Sequence, residues 1–155
     1  MDPVGLGVAA AVLVLGLAIG VWWRSTGGRL RAARPDTGAG DPDRIEPALL
    51  TALGAEPAAA TLLQFSSAFC APCRAVRRVS ADVAALLPGV RHVEVDAEAH
   101  MDAVRALNVW RTPTLFVLDA GGRIVQRATG VPTKPQLIAA LAGVLPARES
   151  APDRR

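Results

Sequence analysis

The fold of this chain depends on the stretch Phe65-Ser66-Ser67-Ala68-Phe69-Cys70-Ala71-Pro72-Cys73-Arg74. It holds both cysteines of the 155-residue sequence, spaced C-x-x-C. The apolar run before them predicts a strand and the residues after them predict a helix, and C-x-x-C at such a junction indicates redox chemistry. A helix N-terminus leaves N–H groups unpaired and favours an anion, so it favours the reactive thiolate of Cys70. Cys73, one turn later, is close enough to resolve a mixed disulfide.

Composition argues against other uses of this cysteine pair. Two cysteines cannot build a disulfide scaffold. Because His92 and His100 are the only histidines, the chain is also poorly supplied for a closed four-ligand zinc site, and we predict no metal. The net charge of the chain is +3, and the arginines are scattered along the sequence rather than grouped in a dense block. We therefore predict no nucleic-acid partner.

The segment from Val4 to Trp23 contains no charged residue over twenty positions. As a helix it would extend roughly 30 Å, the thickness of the hydrocarbon core of a bilayer. Trp22 and Trp23 stand at its end, where aromatic residues anchor at the membrane interface. We predict a transmembrane anchor over residues 4–23, with the lipid bilayer as its partner. The alternatives are a cleaved signal peptide, which the acidic start at Asp2 disfavours, and a buried core helix.

The residues after this segment predict a flexible linker over 24–44. They are rich in Gly, Pro, Asp and Arg and lack periodic apolar positions. Four arginines, Arg24, Arg29, Arg31 and Arg34, follow the apolar run, whereas Asp2 precedes it. The positive-inside rule then predicts a single-pass protein with its C-terminal domain in the cytoplasm. The alternative is an extracytoplasmic domain.

Residues 45–146 predict one α/β domain, followed by a disordered tail over 147–155. Helical and strand-like apolar patterns alternate in the order αβαβαββα. This alternation implies parallel pairing of the first strands, whereas Asp119-Ala120-Gly121-Gly122 predicts a tight turn within an antiparallel last hairpin. We expect a mixed sheet of about four strands with helices on both faces. The predicted helices are 45–54, 70–87, 97–107 and 135–145, and the predicted strands are 58–66, 90–96, 114–118 and 123–128.

Three motifs at matching spacing carry a family resemblance. Phe69-Cys70-Ala71-Pro72-Cys73-Arg74 is similar to W-C-G-P-C-K, and Val95-Asp96 followed by Val109-Trp110-Arg111-Thr112-Pro113-Thr114 is similar to V-D…V-x-x-x-P-T. The third, Asp119-Ala120-Gly121-Gly122 with the later Gly130, is similar to N-G-x-x-x-x…G. Over roughly residues 45–145 the sequence therefore resembles the thioredoxin family, which implies a thioredoxin-like fold.

The resemblance also implies roles for particular residues. Cys70 would be the attacking thiolate and Cys73 the resolving cysteine. The peptide bond before the proline is cis in this family and faces the C-x-x-C, so the backbone of Thr112 would bind an extended substrate segment. The predicted substrate groove consists of Phe69, Pro72, Thr112 and Pro113.

Four further residues are predicted to tune the reaction. Gln64 stands where the family carries a buried acid, and a glutamine cannot act as a base. The family's lysine partner of that acid falls at about His92, so a Gln–His pair replaces the acid–lysine pair. Either His92 or a water takes over the proton relay, or His92 merely packs beside the sheet. Arg74 and Arg111 flank the motif, where they either stabilise the thiolate or are solvated surface residues.

The sequence thus predicts a membrane-tethered thiol–disulfide oxidoreductase that is a monomer. It needs no cofactor beyond the redox-active disulfide between Cys70 and Cys73. Its partners would be protein thiols and disulfides, together with a reductase or a membrane electron carrier. The alternative is a membrane-anchored binding module or copper-handling protein that uses the two thiolates as ligands.

Overall fold

A computed structural model of the chain describes residues 3–26, 30–32 and 43–145. The predicted tail, 147–155, and most of the predicted linker lie outside these residues. The elements, in chain order, are α1 (Pro3–Thr26), β1 (Arg31–Ala32), α2 (Pro47–Ala52), β2 (Ala60–Ser66), α3 (Ala71–Leu86), β3 (Val90–Asp96), α4 (Met101–Ala106), β4 (Thr114–Asp119), β5 (Ile124–Thr129) and α5 (Lys134–Ala142).

The strands form one mixed sheet in the order β1-β5-β4-β2-β3. Strands β2 and β3 are parallel and joined by α3, whereas β4 is antiparallel to both β2 and β5. At the β4–β5 turn Gly122 has a φ of 77°, a left-handed conformation that suits glycine. The predicted α/β class, the four main strands and the antiparallel last hairpin are confirmed.

A fifth strand, β1, lies within the segment predicted as a flexible linker, 24–44. Arg31 and Ala32 pair in antiparallel register with Arg127 and Gln126 of β5. Leu30, just before them, is partly buried against the core. A strand of two residues held by backbone pairing and one apolar neighbour produces no periodic pattern, which is why the sequence did not indicate it.

Two helices begin later than predicted because hydrogen bonds of the preceding residues hold the chain outside the helix. Ile45, predicted as helical, instead donates its N–H to the carbonyl of Gly122 at 3.0 Å, and α2 begins only at Pro47. Before α4, the carboxylate of Asp96 accepts the N–H of Glu98 at 2.9 Å. That turn occupies the residues after β3, so α4 begins at Met101 rather than at 97.

The sheet separates two apolar clusters, one on each face. Successive side chains of a strand point to opposite faces, so β2 contributes to both. Leu62 lies with Val76 of α3 and Leu137 of α5, whereas Leu63 and Phe65 lie on the opposite face. The predicted helices on both faces are therefore confirmed. The α3 face also carries Gln64 and Ser66, which are polar and buried.

The predicted anchor, 4–23, lies within helix α1. All described side chains of this helix, 7–22, are exposed. Among them, Val12, Leu13, Val14, Leu15 and Leu17 have exposed fractions of 63–70%. Within the described residues, no helix is long and apolar enough to cross a membrane.

Candidate functional site

The first turn of α3 carries both cysteines, joined as a disulfide with an Sγ–Sγ distance of 2.06 Å. Cys70 is the N-cap residue of this helix, and its Sγ accepts the N–H of Cys73 at 3.2 Å. Pro72, in the first turn, loses no intrahelical bond because N–H groups there have no carbonyl partner. Cys70 is half-buried, whereas Cys73 is only 2% exposed. Of the two sulfurs, that of Cys70 is therefore the one a partner thiol can approach.

The loop before β4 lies against the segment that leads to Cys70. The hydroxyl groups of Ser67 and Thr112 are hydrogen-bonded at 2.9 Å. The Thr112–Pro113 peptide bond is cis, as the resemblance implies, and Pro113 is buried. The carbonyl of Pro113 accepts the N–H of Gly130 at 3.0 Å, which ties the loop to the end of β5.

The surface beside the disulfide is apolar and open. Phe69 is 100% exposed, and Pro72 is also exposed. Thr112 is half-buried between them and β4. The predicted groove residues thus come from two loops that one hydrogen bond brings together.

Arg74 and Arg111 are both exposed. Arg74 is four residues after Cys70, so it lies one helical turn along the same face. Arg111 precedes the cis-proline pair, and its carbonyl accepts the hydroxyl of Thr114 at 2.7 Å. Within the described residues neither guanidinium forms an ion pair.

Gln64 lies fully buried beneath the second cysteine. Its Nε2 donates to the carbonyl of Cys73 at 3.0 Å and to the hydroxyl of Ser66 at 2.8 Å. A carbonyl can only accept, so the amide nitrogen must face Cys73 and the amide oxygen must face the other way. That oxygen lies 3.0 Å from Nε2 of His92. His92 therefore carries a proton on Nε2 and donates it to Gln64.

An ion pair between Arg77 and Glu94 adjoins the Gln64–His92 pair. Glu94 is hydrogen-bonded by Ser66 and forms a salt bridge with Arg77. Burial alone would raise the pKa of Glu94, but the hydrogen bonds from Arg77 and Ser66 outweigh it and lower that pKa. The bond to Glu94 raises the pKa of Arg77, and burial lowers the pKa of His92.

A cavity of about 310 Å³ adjoins this ion pair and reaches the segment before Cys70. It is lined by Ser66, Ser67, Ala68, Arg77, Glu94 and Asp96. Water entering here can reach the edge of the buried polar layer.

Ser66, Arg77 and Glu94 were missed as members of the site. A signal for two of them was present, because Gln64 and Ser66, like His92 and Glu94, are two residues apart. Residues at this spacing share one face of a strand. The parallel register, with Gln64 opposite Glu94, then brings the four polar side chains together. Arg77 had no such signal, since its position depends on how α3 packs across β3.

Within the described ranges, no group of three or more His, Cys, Asp and Glu side chains is arranged to hold a metal ion. His100 is the N-cap residue of α4 and makes no side-chain capping bond. It lies outside the network around the cysteines.

Comparisons with known proteins agree with this geometry. The family model described as Thioredoxin matches residues 52–143, more than half of the chain. Thioredoxin H4-1 of Oryza sativa subsp. japonica is 33% identical over 84 residues, which cover 52% of this chain and 63% of the rice protein. The chain thus spans less than two thirds of that relative.

Solved structures show the same fold at lower identity. Chloroplastic thioredoxin z superposes with a TM-score of 0.54 at 20% identity, covering 66% of this chain and 92% of that one. A reduced thioredoxin of Schistosoma mansoni gives 0.52 at 14% identity, covering 66% and 94%. The family model, which matches more than half of the chain, establishes that the chain belongs to the thioredoxin family, and the disulfide-bonded C-x-x-C and the cis-proline agree with it.

Proposed function

We propose that this protein is a thiol–disulfide oxidoreductase acting on protein substrates. The observation that carries the proposal is the environment of the disulfide: a reachable Cys70 at a helix N-terminus, a buried Cys73, and a cis-proline loop bonded to the same segment. Helix N-termini favour thiolates, and the thiolate is the reactive form of cysteine.

The reduced protein would act in two exchange steps. The thiolate of Cys70 attacks one sulfur of a substrate disulfide, forms a mixed disulfide and releases the other substrate sulfur as a thiolate. The thiolate of Cys73 then attacks the Sγ of Cys70, which breaks the mixed disulfide and releases the second substrate thiolate. Two electrons pass to the substrate, and the Cys70–Cys73 disulfide remains. A reductase or a membrane electron carrier must return those electrons.

The groove residues would align the substrate for the first step. An extended segment can bond to the backbone of Thr112 while Phe69, Pro72 and Pro113 form the apolar walls. Arg74 and Arg111 would stabilise the thiolate of Cys70 electrostatically, since their charges have no ion-pair partner among the described residues.

Gln64 and His92 would act by positioning rather than by accepting a proton. Gln64 holds the carbonyl of Cys73, and the His92 nitrogen that faces it already bears a proton. This supports the alternative in which His92 packs beside the sheet and relays no proton. Cys73 would then lose its proton to solvent or directly to the leaving thiolate.

Exchange activity tests the role of Cys70. The full chain in mild detergent should reduce insulin disulfides with dithiothreitol as the electron source. Cys70→Ser should abolish this activity, whereas Cys73→Ser should accumulate a mixed disulfide through Cys70. Leu86→Ala, an exposed change on α3, serves as the control. Unchanged insulin reduction by Cys70→Ser would exclude Cys70 as the nucleophile.

We also propose that residues 4–23 attach the protein to a membrane as a single-pass anchor, with the domain as a cytoplasmic monomer. The uncharged sequence and the exposed apolar side chains of α1 support attachment, and the arginines that follow support the orientation.

The full chain should stay in the membrane pellet after alkaline washing, and Leu13→Arg with Leu17→Arg should release it. A reporter fused after residue 155 should be active only in the cytoplasm. Release of the wild-type chain by the wash would overturn the anchor, and external reporter activity would overturn the orientation.

A further inference from the structure

Trp110 is an exposed aromatic residue that the exchange chemistry does not use. Its side chain is 88% exposed, and that of Phe69, which immediately precedes Cys70, is 100% exposed. Large aromatic side chains in full contact with water are unfavourable unless a partner covers them, and Trp and Tyr are enriched among the residues that dominate interfaces. The two rings therefore require an explanation beyond chain folding.

Phe69 and Trp110 lie close in sequence to the two residues whose hydrogen bond joins the loops at the mouth of the redox site. Phe69 is two residues from Ser67, and Trp110 is two residues from Thr112. Because a residue spans at most about 3.6 Å, each Cα lies within about 7 Å of a residue in the Ser67–Thr112 hydrogen bond. A substrate segment that binds along the backbone of Thr112 with its cysteine at Cys70 would therefore lie near both residues.

The loop that carries Trp110 is held at both ends. At its start, Arg127 of β5 donates to the carbonyl of Leu107 at 3.2 Å and to that of Asn108, and its guanidinium lies 4.9 Å from the ring centre of Phe116. At its end, Thr112 is bonded to Ser67. A surface fixed in this way loses little conformational entropy when a partner binds.

The charged residues near the redox site indicate a second property of the partner. Arg74 and Arg111 flank this site, and neither forms an ion pair within the part of the chain that the structure describes, whereas Glu94 is paired with Arg77 and Asp102 with Arg105. Asp96 accepts the N–H of Glu98. An acidic residue on the substrate would be attracted to the two guanidinium groups.

We propose that Trp110 and Phe69, together with Arg74 and Arg111, select protein substrates whose reactive cysteine is flanked by an apolar side chain and an acidic one. The proposal rests on the exchange activity proposed above and adds its substrate class. Trp110 supplies the preference for the apolar flank, and Arg111 contributes to the preference for the acidic flank. The named mouth residues contact the substrate, while Cys70 performs the exchange.

Four matched peptide disulfides test this selection. Each peptide contains one cysteine, which forms the disulfide under test. The two residues that flank this cysteine are Leu and Asp in the first peptide, Leu and Lys in the second, Ser and Asp in the third, and Ser and Lys in the fourth. The full chain in mild detergent is reduced and freed of reductant, and the rate constant for each peptide is measured. Each value is divided by the rate constant for reduction of the same peptide by dithiothreitol, which removes differences in intrinsic reactivity.

The wild-type chain should prefer the Leu/Asp peptide over the Ser/Lys peptide by more than tenfold. Trp110→Ala should lower the preference for Leu over Ser about tenfold, and Trp110→Phe should retain most of it. Arg111→Ala should lower the preference for Asp over Lys about threefold at low salt, with a smaller effect at high salt. Because each preference is a ratio with the same Cys70, a changed thiolate fraction cancels. Leu86→Ala should match the wild type.

Equal normalised rates for all four peptides would overturn the selection while leaving the exchange activity intact. No exchange with any peptide or with insulin would overturn the proposed function, and this proposal with it. A second copy of the chain is the competing occupant of the aromatic surface. If a second copy covers this surface, the exchange rate per molecule would fall with protein concentration for every peptide. Sedimentation would then give a dimer that Trp110→Ala dissociates. Either result would show that the proposal is wrong.

Discussion

The two sides of the Cys70–Cys73 disulfide differ in almost every physical respect. On the outer side, the mouth consists of Phe69, Trp110 and two arginines, which are exposed and make few contacts. On the inner side, Gln64 is fully buried, and both ends of its amide are hydrogen-bonded. The outer side is free to change without cost to folding, whereas the inner side is a connected polar network in which each removed member leaves a partner unsatisfied.

We therefore expect the two sides of the disulfide to have different roles. The mouth can set which substrates bind, because its side chains contact solvent and incoming protein. The buried layer can set the stability of the first turn of α3, because Gln64 holds the carbonyl of Cys73. Substitutions on the two sides should therefore separate effects on stability from effects on substrate choice.

The largest effect on stability is expected for Gln64→Leu. The change removes three hydrogen bonds, leaves Nε2 of His92 without its acceptor, and leaves the carbonyl of Cys73 with only the partner that the helix provides. We expect the free energy of unfolding to fall by about 2–4 kcal/mol, measured by urea denaturation of the oxidised chain. If Gln64→Leu proved as stable as the wild type, the amide would have no structural role beneath the cysteine.

A smaller loss is expected for Thr112→Val, which keeps the shape of the side chain but removes its hydroxyl. The part-buried bond to Ser67 joins the two loops of the site, so its loss should cost about 1 kcal/mol of stability. The insulin-reduction rate should also fall, because the cis-proline loop is less firmly held. Ser67→Ala should reproduce both effects, and the double variant should be no worse than either single one. Additive losses in the double variant would mean that the bond is not the cause.

The pH dependence of stability should report on His92. Burial lowers its pKa in the folded chain, so between the folded and the unfolded pKa the unfolded chain binds more protons. The free energy of unfolding should therefore decrease as the pH falls from 7 through the usual range of histidine, near 6.5. His92→Gln should flatten this part of the profile. The lowered pKa of Glu94 acts in the same direction at more acidic pH, which separates the two contributions. A profile between pH 7 and 6 that His92→Gln left unchanged would contradict the buried, neutral histidine.

The smallest effect on stability is expected at the mouth. Phe69→Ser removes a fully exposed ring and should change the free energy of unfolding by no more than about 0.5 kcal/mol. Insulin reduction should nonetheless slow, because the substrate loses an apolar wall. Gln64→Leu measured in parallel provides the contrast. A destabilisation of Phe69→Ser comparable with that of Gln64→Leu would remove the distinction between the two sides.

Much of the fold followed from local patterns. The position of Cys70 at the start of a helix and the Gly-Gly turn depend on residues adjacent in sequence, whereas the cis-proline before β4 was implied by the family resemblance. The pairing of Gln64 with His92 was also predicted, through the resemblance. Helix bounds were less accurate, since α2 and α4 are shortened by bonds to Gly122 and within the turn after β3.

The sequence by itself determined the α/β order of elements and the redox pair at the start of a helix, because these depend on periodicity and on residues near one another in the chain. Only the tertiary structure decided that the Arg77–Glu94 ion pair joins Gln64 and His92, that Arg31 and Ala32 pair with β5, and that Thr112 is bonded to Ser67. These contacts link residues 17–96 positions apart through strand register and helix packing. Alternation along β2 and β3 can indicate which polar side chains share a face, but no local pattern encodes contacts over such distances, so the complete inner network became visible only when the sheet was assembled.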